Sequence, residues 1–205
     1  MKNAIKIGMV GAALVACTLP GLAQSNTPTA PAPVTSQSVS NRKENQQDRI
    51  ANGVASGQLT AGEAGKLENK EAAINQESRD MRKLDNGKLT AADKKTLNQQ
   101  QNQLSNQIYK DKHNAAVQNT NPKSEVGKRA ENQQDRIAQG MKSGQLTAGE
   151  ASRLENKDAA INQEVAADRK ANGGKLTAAE RAQVNRQQNR VSKQIYKDKH
   201  NNRHQ

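Results

Sequence analysis

Gly57-Gln-Leu-Thr-Ala-Gly-Glu63 decides the fold, because the chain repeats this stretch three more times. The other copies are Gly87-Lys-Leu-Thr-Ala-Ala-Asp93, Gly144-Gln-Leu-Thr-Ala-Gly-Glu150 and Gly174-Lys-Leu-Thr-Ala-Ala-Glu180. Each copy has a glycine, which tolerates the left-handed backbone that ends many helices, and then a Thr with an acid three residues later. That order is typical of two helices joined by a tight turn, with the Thr capping the second helix. The predicted caps are Thr60, Thr90, Thr147 and Thr177.

The corners belong to a longer repeat, in which the chain matches itself at an offset of 87 residues. Glu44-Asn-Gln-Gln-Asp-Arg-Ile50, for example, returns at 131–137. A tandem duplication of this kind predicts one fold made twice, here an all-α protein with two three-helix units. A segment with Asn121-Pro122 and Gly127 separates the copies and is typical of a linker. The predicted parts are residues 43–114 for the first unit, 115–130 for the linker and 131–201 for the second unit, followed by a basic tail at 202–205.

The helices of the first unit are predicted at about Lys43–Ser56, Thr60–Asp85 and Thr90–His113. Their large apolar residues form a narrow stripe, as with Leu67 and Ile74, which lie seven residues apart. Only 32% of all residues are hydrophobic, and Phe and Trp are absent. Because such a core is small for each unit, we expect marginal stability, an open helical arrangement or self-association.

The first 23 residues resemble a bacterial secretory signal. Lys2 and Lys6 precede an apolar run at 7–19, and Gly21-Leu22-Ala23 has the small-x-small pattern of a cleavage site. Outside this segment there is no apolar stretch long enough to span a membrane. We therefore expect an exported protein, located in the periplasm or outside the cell, without a transmembrane span.

A second interpretation of the same segment is open. Leu14-Val15-Ala16-Cys17 resembles the lipobox of bacterial lipoproteins, and Cys17, the only cysteine, would then carry a lipid in the outer membrane. With either cleavage the following residues, 24–42, contain three prolines among Ser, Thr, Gln and Asn. This composition buries too little apolar surface to offset chain ordering, so a disordered tether is predicted there.

The four corners also resemble the second half of an EF-hand calcium loop, where a glycine precedes an aliphatic residue, a Ser or Thr and a closing acid. The first half departs from that loop, because its ligand positions hold residues such as Asn52, Val54 and Ser56 instead of carboxylates. A capping box accounts for the Thr and the acid without a metal. Calcium is therefore kept as an alternative function, with the candidate ligands Glu63, Asp93, Glu150 and Glu180.

The whole repeat resembles a recurring type of small exported bacterial helical protein. The shared pattern is Arg-Ile-x-x-Gly-x-x-Ser-Gly-x-Leu-Thr-x-x-Glu-Ala, here at 49–64 and 136–151, and it closes with Ile-Tyr-x-x-Lys-His-Asn at 108–114 and 195–201. This resemblance implies a helical fold and no particular activity. The Leu-Thr corners and the Gln-rich third helix also resemble the periplasmic chaperones Spy and CpxP, which have Gln where this chain has the corner acids. That second resemblance implies a chaperone-like role.

Catalytic groups are sparse. The three histidines, His113, His200 and His204, lie at predicted helix ends or in the tail, where His commonly interacts with the helix dipole. The sequence has no Gly-rich phosphate loop. It also has no set of zinc ligands at the usual spacing, and the pair His200 and His204 alone has the helical spacing of metal ligands. We therefore expect a non-enzymatic protein without a cofactor, acting as an interaction or chaperone-like module for an envelope partner that the sequence does not identify.

Charge distinguishes the two units. Residues 44–114 carry 11 basic and 10 acidic residues, whereas residues 131–201 carry 13 and 9. Four of the basic residues follow helical spacing along one face of the last helix, opposite its apolar side. That face is either solvated surface or a binding site for anionic lipid or polysaccharide, and nucleic acid is disfavoured because stacking aromatics are lacking. The four residues are Arg186, Arg190, Lys193 and Lys197.

Overall fold

The structure is a computed structural model that describes residues 36–204, and over this range the protein is helical, with no strand. The all-α prediction is confirmed. The predicted signal, Cys17 and residues 24–35 of the predicted tether lie outside the described residues. The six helices are α1 (Ser36–Ala55), α2 (Ala61–Leu84), α3 (Ala91–Lys112), α4 (Glu125–Lys142), α5 (Ala148–Ala171) and α6 (Ala178–Lys199).

The first helix of each repeat begins earlier than predicted. α1 includes residues 36–42, which the sequence placed in the tether, and α4 starts at Glu125, inside the predicted linker. The added turns are anchored, because Val39 and Val126 are buried and their carbonyl oxygens accept 2.9 Å hydrogen bonds from Gln101 and Gln188. A single valine among polar residues gave too weak a periodic signal to show this packing in the sequence.

The four corners have the same construction. At each one the Thr hydroxyl accepts a hydrogen bond from the backbone N–H three residues on, and the acid at that position accepts one from the Thr backbone N–H. The preceding glycine has a positive φ, for example 70° at Gly57 and 90° at Gly174. Only glycine adopts that conformation without strain, so the turn requires a glycine at this position of each corner.

The two repeats pack together to form one unit. α2 packs along α5, and α1 along α4, so four helices build the middle of the fold. α3 packs on α1 and α2, and α6 packs on α4 and α5, which places these two helices on the outer sides. Buried aliphatic side chains from all six helices form a single core cluster. The narrow apolar stripes of the two repeats therefore cover each other.

The packing between the repeats has an approximate two-fold symmetry. A Cβ added to Gly62 of α2 would lie 3.8 Å from Ala159 Cβ of α5, and one added to Gly149 of α5 would lie 4.0 Å from Ala72 Cβ of α2. Gly62 and Gly149 are equivalent positions of the two repeats, and so are Ala72 and Ala159. Each repeat therefore makes the same contact with the other, as the two subunits do in an isologous dimer interface. Small residues let the two helices approach closely, and Ser152 donates a 2.9 Å hydrogen bond to the Gly65 carbonyl oxygen.

Candidate functional site

The basic face of α6 is held outward by the packing of the opposite face. Val184, Val191 and Ile195 are buried against the core. Gln188 on the same side is fully buried, and its side-chain amide donates to the Val126 carbonyl oxygen of α4. Because the buried residues recur at helical spacing, the side chains between them point to solvent. The helix is therefore fixed in rotation, and its cationic face is a stable feature of the surface.

All four cations that the sequence singled out are exposed. The ion pairs found within residues 36–204 are Lys83–Asp80 and Arg203–Glu150, so none of the four is neutralised by a carboxylate there. Spacings of four, three and four residues bring them onto one face over about three turns of helix. This face, which we call the α6 basic face, consists of Arg186, Arg190, Lys193 and Lys197.

An open groove of about 260 Å³ borders the α6 basic face between α5 and α6. Its floor is apolar and includes Ile161 and Val191, while Lys157 and Arg190 stand at its sides. Glu164 also lines the groove, and its two carboxylate oxygens accept hydrogen bonds from Gln183 and Gln187 of α6. The groove thus combines apolar surface with two cations, neither of which forms an ion pair within residues 36–204, and one carboxylate that is bonded to the two glutamines of α6.

α3 of the first repeat presents a neutral version of the same face. The positions equivalent to the three upstream cations hold Gln99, Gln103 and Asn106, which are exposed like their counterparts, and only Lys110 keeps the charge. The two helices bury equivalent residues, since Leu97, Gln101, Leu104 and Ile108 of α3 match the buried side of α6. The shared fold does not require the basic face, because the first repeat packs its third helix without it.

The corner acids are used in the capping boxes. Glu63 Oε2 accepts hydrogen bonds from the Thr60 N–H and hydroxyl, and its Oε1 accepts a 2.6 Å bond from Asn114. Burial tends to raise the pKa of Glu63, but these hydrogen bonds outweigh it and hold the pKa below its usual range. Glu150 has the matching partners, Thr147 and Asn201, and its pKa is lowered against burial in the same way.

The acids of the other two corners, Asp93 and Glu180, are less enclosed. Hydrogen bonds from Thr90 lower the pKa of Asp93, and the Thr177 N–H does the same for Glu180. Each of the four acids lies in its own corner and is bonded to the Thr cap of that corner. Among residues 36–204, no group of three or more His, Cys, Asp or Glu side chains is arranged to hold a metal ion.

The histidines at the helix ends stack on tyrosines. The rings of Tyr109 and His113 lie 4.2 Å apart at an interplanar angle of 28°, and His113 Nδ1 is 2.7 Å from the Tyr109 carbonyl oxygen. Tyr196 and His200 repeat this arrangement at the end of α6. Together with the asparagine that bonds the corner acid, this ending secures the last turn of each repeat, while His204 is exposed beyond it.

The sequence did not single out a group of buried carboxyl side chains between the repeats. Glu68 and Glu71 of α2 and their counterparts Glu155 and Asp158 of α5 are at most 3% exposed. Gln47 of α1 donates to Glu68, and the equivalent glutamine of α4 donates to both Glu155 and Asp158. The available signal was Glu-Asn-Lys-Glu at 68–71 and Glu-Asn-Lys-Asp at 155–158, which places both acids on one helix face.

No helix within residues 36–204 combines the length and the apolar character needed to cross a membrane. No family model, no curated protein and no solved structure matches this chain.

Proposed function

We propose that the protein is a non-enzymatic binding protein of the cell envelope, and that the α6 basic face binds anionic phospholipid surfaces. One observation carries this proposal: four exposed cations lie in line on a helix whose other side is locked into the core, and none is paired with an acid within residues 36–204. Such a face attracts anionic surfaces over a distance set by the ionic strength.

The groove beside the face favours lipid over polysaccharide. Its apolar floor at Ile161 and Val191 can cover part of an acyl chain, while Lys157 and Arg190 stand where an anionic headgroup would sit. A polysaccharide offers little apolar surface for that floor. Because the apolar side of α6 itself is buried in the core, binding is peripheral and electrostatic rather than by insertion of the helix.

Vesicle co-sedimentation tests the proposal. The exported chain should bind vesicles of phosphatidylglycerol and phosphatidylcholine but not vesicles of phosphatidylcholine alone. Binding should weaken strongly as the salt rises from about 0.01 M to about 0.15 M, because the screening length falls from about 30 Å to about 8 Å. The variant Arg186→Gln, Arg190→Gln, Lys193→Asn, which copies the first repeat, should lose at least about tenfold in affinity, since each surface cation contributes about 1 kcal/mol.

A matched variant moves the face instead of removing it. Gln99→Arg, Gln103→Arg and Asn106→Lys, added to the triple variant, place the same charges on α3 and should restore binding. Unchanged vesicle binding by the triple variant would overturn the proposal, and so would binding to an anionic polysaccharide such as dextran sulfate in preference to the anionic vesicles.

A chaperone-like form of binding requires apolar surface that the packed repeats cover. The large apolar side chains exposed within residues 36–204 are few and belong to α2, α3, α6 and the segment between α3 and α4. A client-binding role therefore depends on separation of the two repeats, whereas the α6 basic face is available in the packed form. The exposed large apolar residues are Leu84, Tyr109, Val117 and Tyr196.

A further inference from the structure

The buried carboxyl groups lie where the two repeats meet. Glu68 and Glu155 are equivalent residues of α2 and α5, both fully buried, and the charge of Glu68 acts on Glu155 across the interface. Glu71 and Asp158 follow one helical turn later on the same faces. The cluster therefore contains two acids from each repeat. Glu68 and Glu155 act on each other between α2 and α5, which make the most extensive contact between the repeats, while Glu71 faces Lys43 of α1 and Asp158 faces Gln134 of α4.

We propose that Glu68, Glu71, Glu155 and Asp158 form a proton-binding site that couples the packing of the two repeats to pH. We call this cluster the acid quartet. In the protonated state its four side chains are neutral and compatible with burial. When they ionise, the core between α1, α2, α4 and α5 contains up to four negative charges in a place that water does not reach, and packing of these helices weakens.

The groups that face the acid quartet provide little positive charge. Glu68 faces Gln47 of α1, and Glu155 and Asp158 share the amide of Gln134 of α4. The only cation acting on the quartet within residues 36–204 is Lys43 of α1, which faces Glu71. The surroundings of Lys43 in turn include Glu44, Arg79 and Arg82.

Lys43 does not neutralise the quartet fully. Burial lowers the pKa of the Lys43 ammonium, and although Glu71 and Glu44 raise it, Arg79 and Arg82 act against them. The second repeat has Ala130 at the position equivalent to Lys43, so Asp158 has no corresponding cation. Two glutamine amides and one partly buried ammonium therefore face four carboxyl groups.

Unpaired oxygen atoms support the neutral form. One carboxyl oxygen of each of Glu68, Glu71 and Glu155 is buried without a hydrogen-bond partner in the described part of the chain. A carboxylate that loses its water shell and gains at most one donor is strongly destabilised relative to the neutral acid. Burial accordingly raises the pKa of Glu71 to about 7 and that of Asp158 to about 7. For Glu68 and Glu155, burial and the neighbouring acid raise the pKa well above the usual range.

The direction of the pH effect follows from these raised pKa values. In the unfolded chain the four acids lose their protons near pH 4, as free Asp and Glu do, while the folded chain keeps them up to about pH 7 and above. Between these limits the folded state binds more protons than the unfolded state. Rising pH therefore lowers the stability of the packed form over this window.

Urea unfolding of the full chain between about pH 5 and pH 8 tests the proposal. The folding equilibrium constant of the wild type should fall more than about a hundredfold from pH 5 to pH 7, because each retained proton contributes up to about tenfold per pH unit. Glu71→Gln with Asp158→Asn should reduce this fall by at least about tenfold. The control Asp48→Asn removes an exposed acid of α1 and should leave the fall unchanged.

Carboxyl-carbon NMR of the wild type provides a test that does not depend on folding of a variant. At least two Asp or Glu carboxyl resonances should titrate near pH 7, well above the usual range near pH 4. The proposal is overturned if every carboxyl titrates below about pH 5, or if wild type and the Glu71→Gln, Asp158→Asn variant lose stability equally. These outcomes are independent of vesicle binding, since the α6 basic face lies outside the quartet.

Discussion

The two repeats agree closely in their interior and differ on their outer helices. Both bury equivalent aliphatic positions, such as Ile50 and Ile137. Both also clamp the third helix to the first, because Gln46 and Gln133 donate to the Gln101 and Gln188 carbonyl oxygens. The outer faces of α3 and α6 make no such bonds to another helix. At the positions equivalent to Arg186, Arg190 and Lys193 of α6, α3 has neutral amide side chains. The comparison shows which positions the fold requires and which are free to acquire a binding function.

One interior position departs from this rule. Lys43 of α1 faces Glu71, whereas Ala130 of α4 leaves Asp158 without a cation, and Gln134 donates to Asp158 instead. The two repeats therefore hold the second acid of each pair by different means. Both acids are nevertheless buried, so each repeat contributes two buried carboxyl groups whether or not a lysine faces them.

The largest loss of stability is expected from changes to buried leucines, and it tests whether the two repeats share one core. Leu67 of α2 and Leu154 of α5 are equivalent and fully buried. Replacing either by Ala should cost about 3 kcal/mol through lost apolar contact and a residual cavity. Far-UV circular dichroism in urea should show one transition that shifts by a similar amount in both variants. Two transitions, of which only one moves, would show that the repeats unfold independently.

Changes at Lys43 and at its equivalent Ala130 should have a smaller effect on stability, and the direction of that effect is defined by charge. Ala130→Lys should lower the pKa of Asp158 by about one unit and raise stability at about pH 8 by about 1.4 kcal/mol, the equivalent of that shift. Lys43→Ala should raise the pKa of Glu71 and lower stability at that pH. Carboxyl-carbon NMR and urea unfolding measure the two quantities. A loss of stability on Ala130→Lys at this pH would contradict the expected pairing.

The two corners of each repeat differ in how far their acid is buried, so loss of the Thr cap should cost more stability at one corner than at the other. The Thr147 cap holds Glu150, which is buried and also bonded by Asn201, whereas the acid at the Thr177 cap is more exposed. Thr147→Ala should cost about 1 kcal/mol, or about 2–4 °C in melting temperature, and Thr177→Ala should cost less. Thermal unfolding by circular dichroism measures both. An equal loss in the two variants would mean that enclosure of the corner does not matter.

The smallest effect on stability is expected where the repeats differ most. Arg186→Gln, Arg190→Gln and Lys193→Asn alter exposed side chains that make no ion pair within residues 36–204. The free energy of unfolding should change by less than about 0.5 kcal/mol. Urea unfolding of the same protein samples used for vesicle binding checks this. A loss of 2 kcal/mol or more would assign the basic face to the fold instead of to binding.

Local patterns predicted the parts of the fold that depend on local chemistry. Glycine before Leu-Thr and an acid three residues after the Thr located all four turns, and helical spacing identified buried residues such as Leu67 and Val191. The start of α1 was missed because its anchor, Val39, depends on Gln101, which is 62 residues away. Contacts of that kind leave no periodic signal in the sequence.

The arrangement of the repeats, and with it the acid quartet, was beyond prediction for the same reason. The sequence showed that each unit has too little apolar surface, but not that the other unit covers it. Nothing in the sequence marks Glu68 and Glu155 as buried, and acids are rarely buried fully. They are buried because α2 packs against α5, and this contact joins residues that are one repeat length apart in the sequence.

The two-fold character of the contact between α2 and α5 has a consequence for the order of folding. The hydrogen bond from Ser152 to Gly65 joins residues 87 positions apart, so the interface closes only after α5 is available. Closing such distant contacts is slow relative to helix formation. Because every chain has the same α2 and the same α5, α2 of one chain also fits α5 of another. In concentrated solution, refolding within one chain therefore competes with an exchange of repeats between two chains.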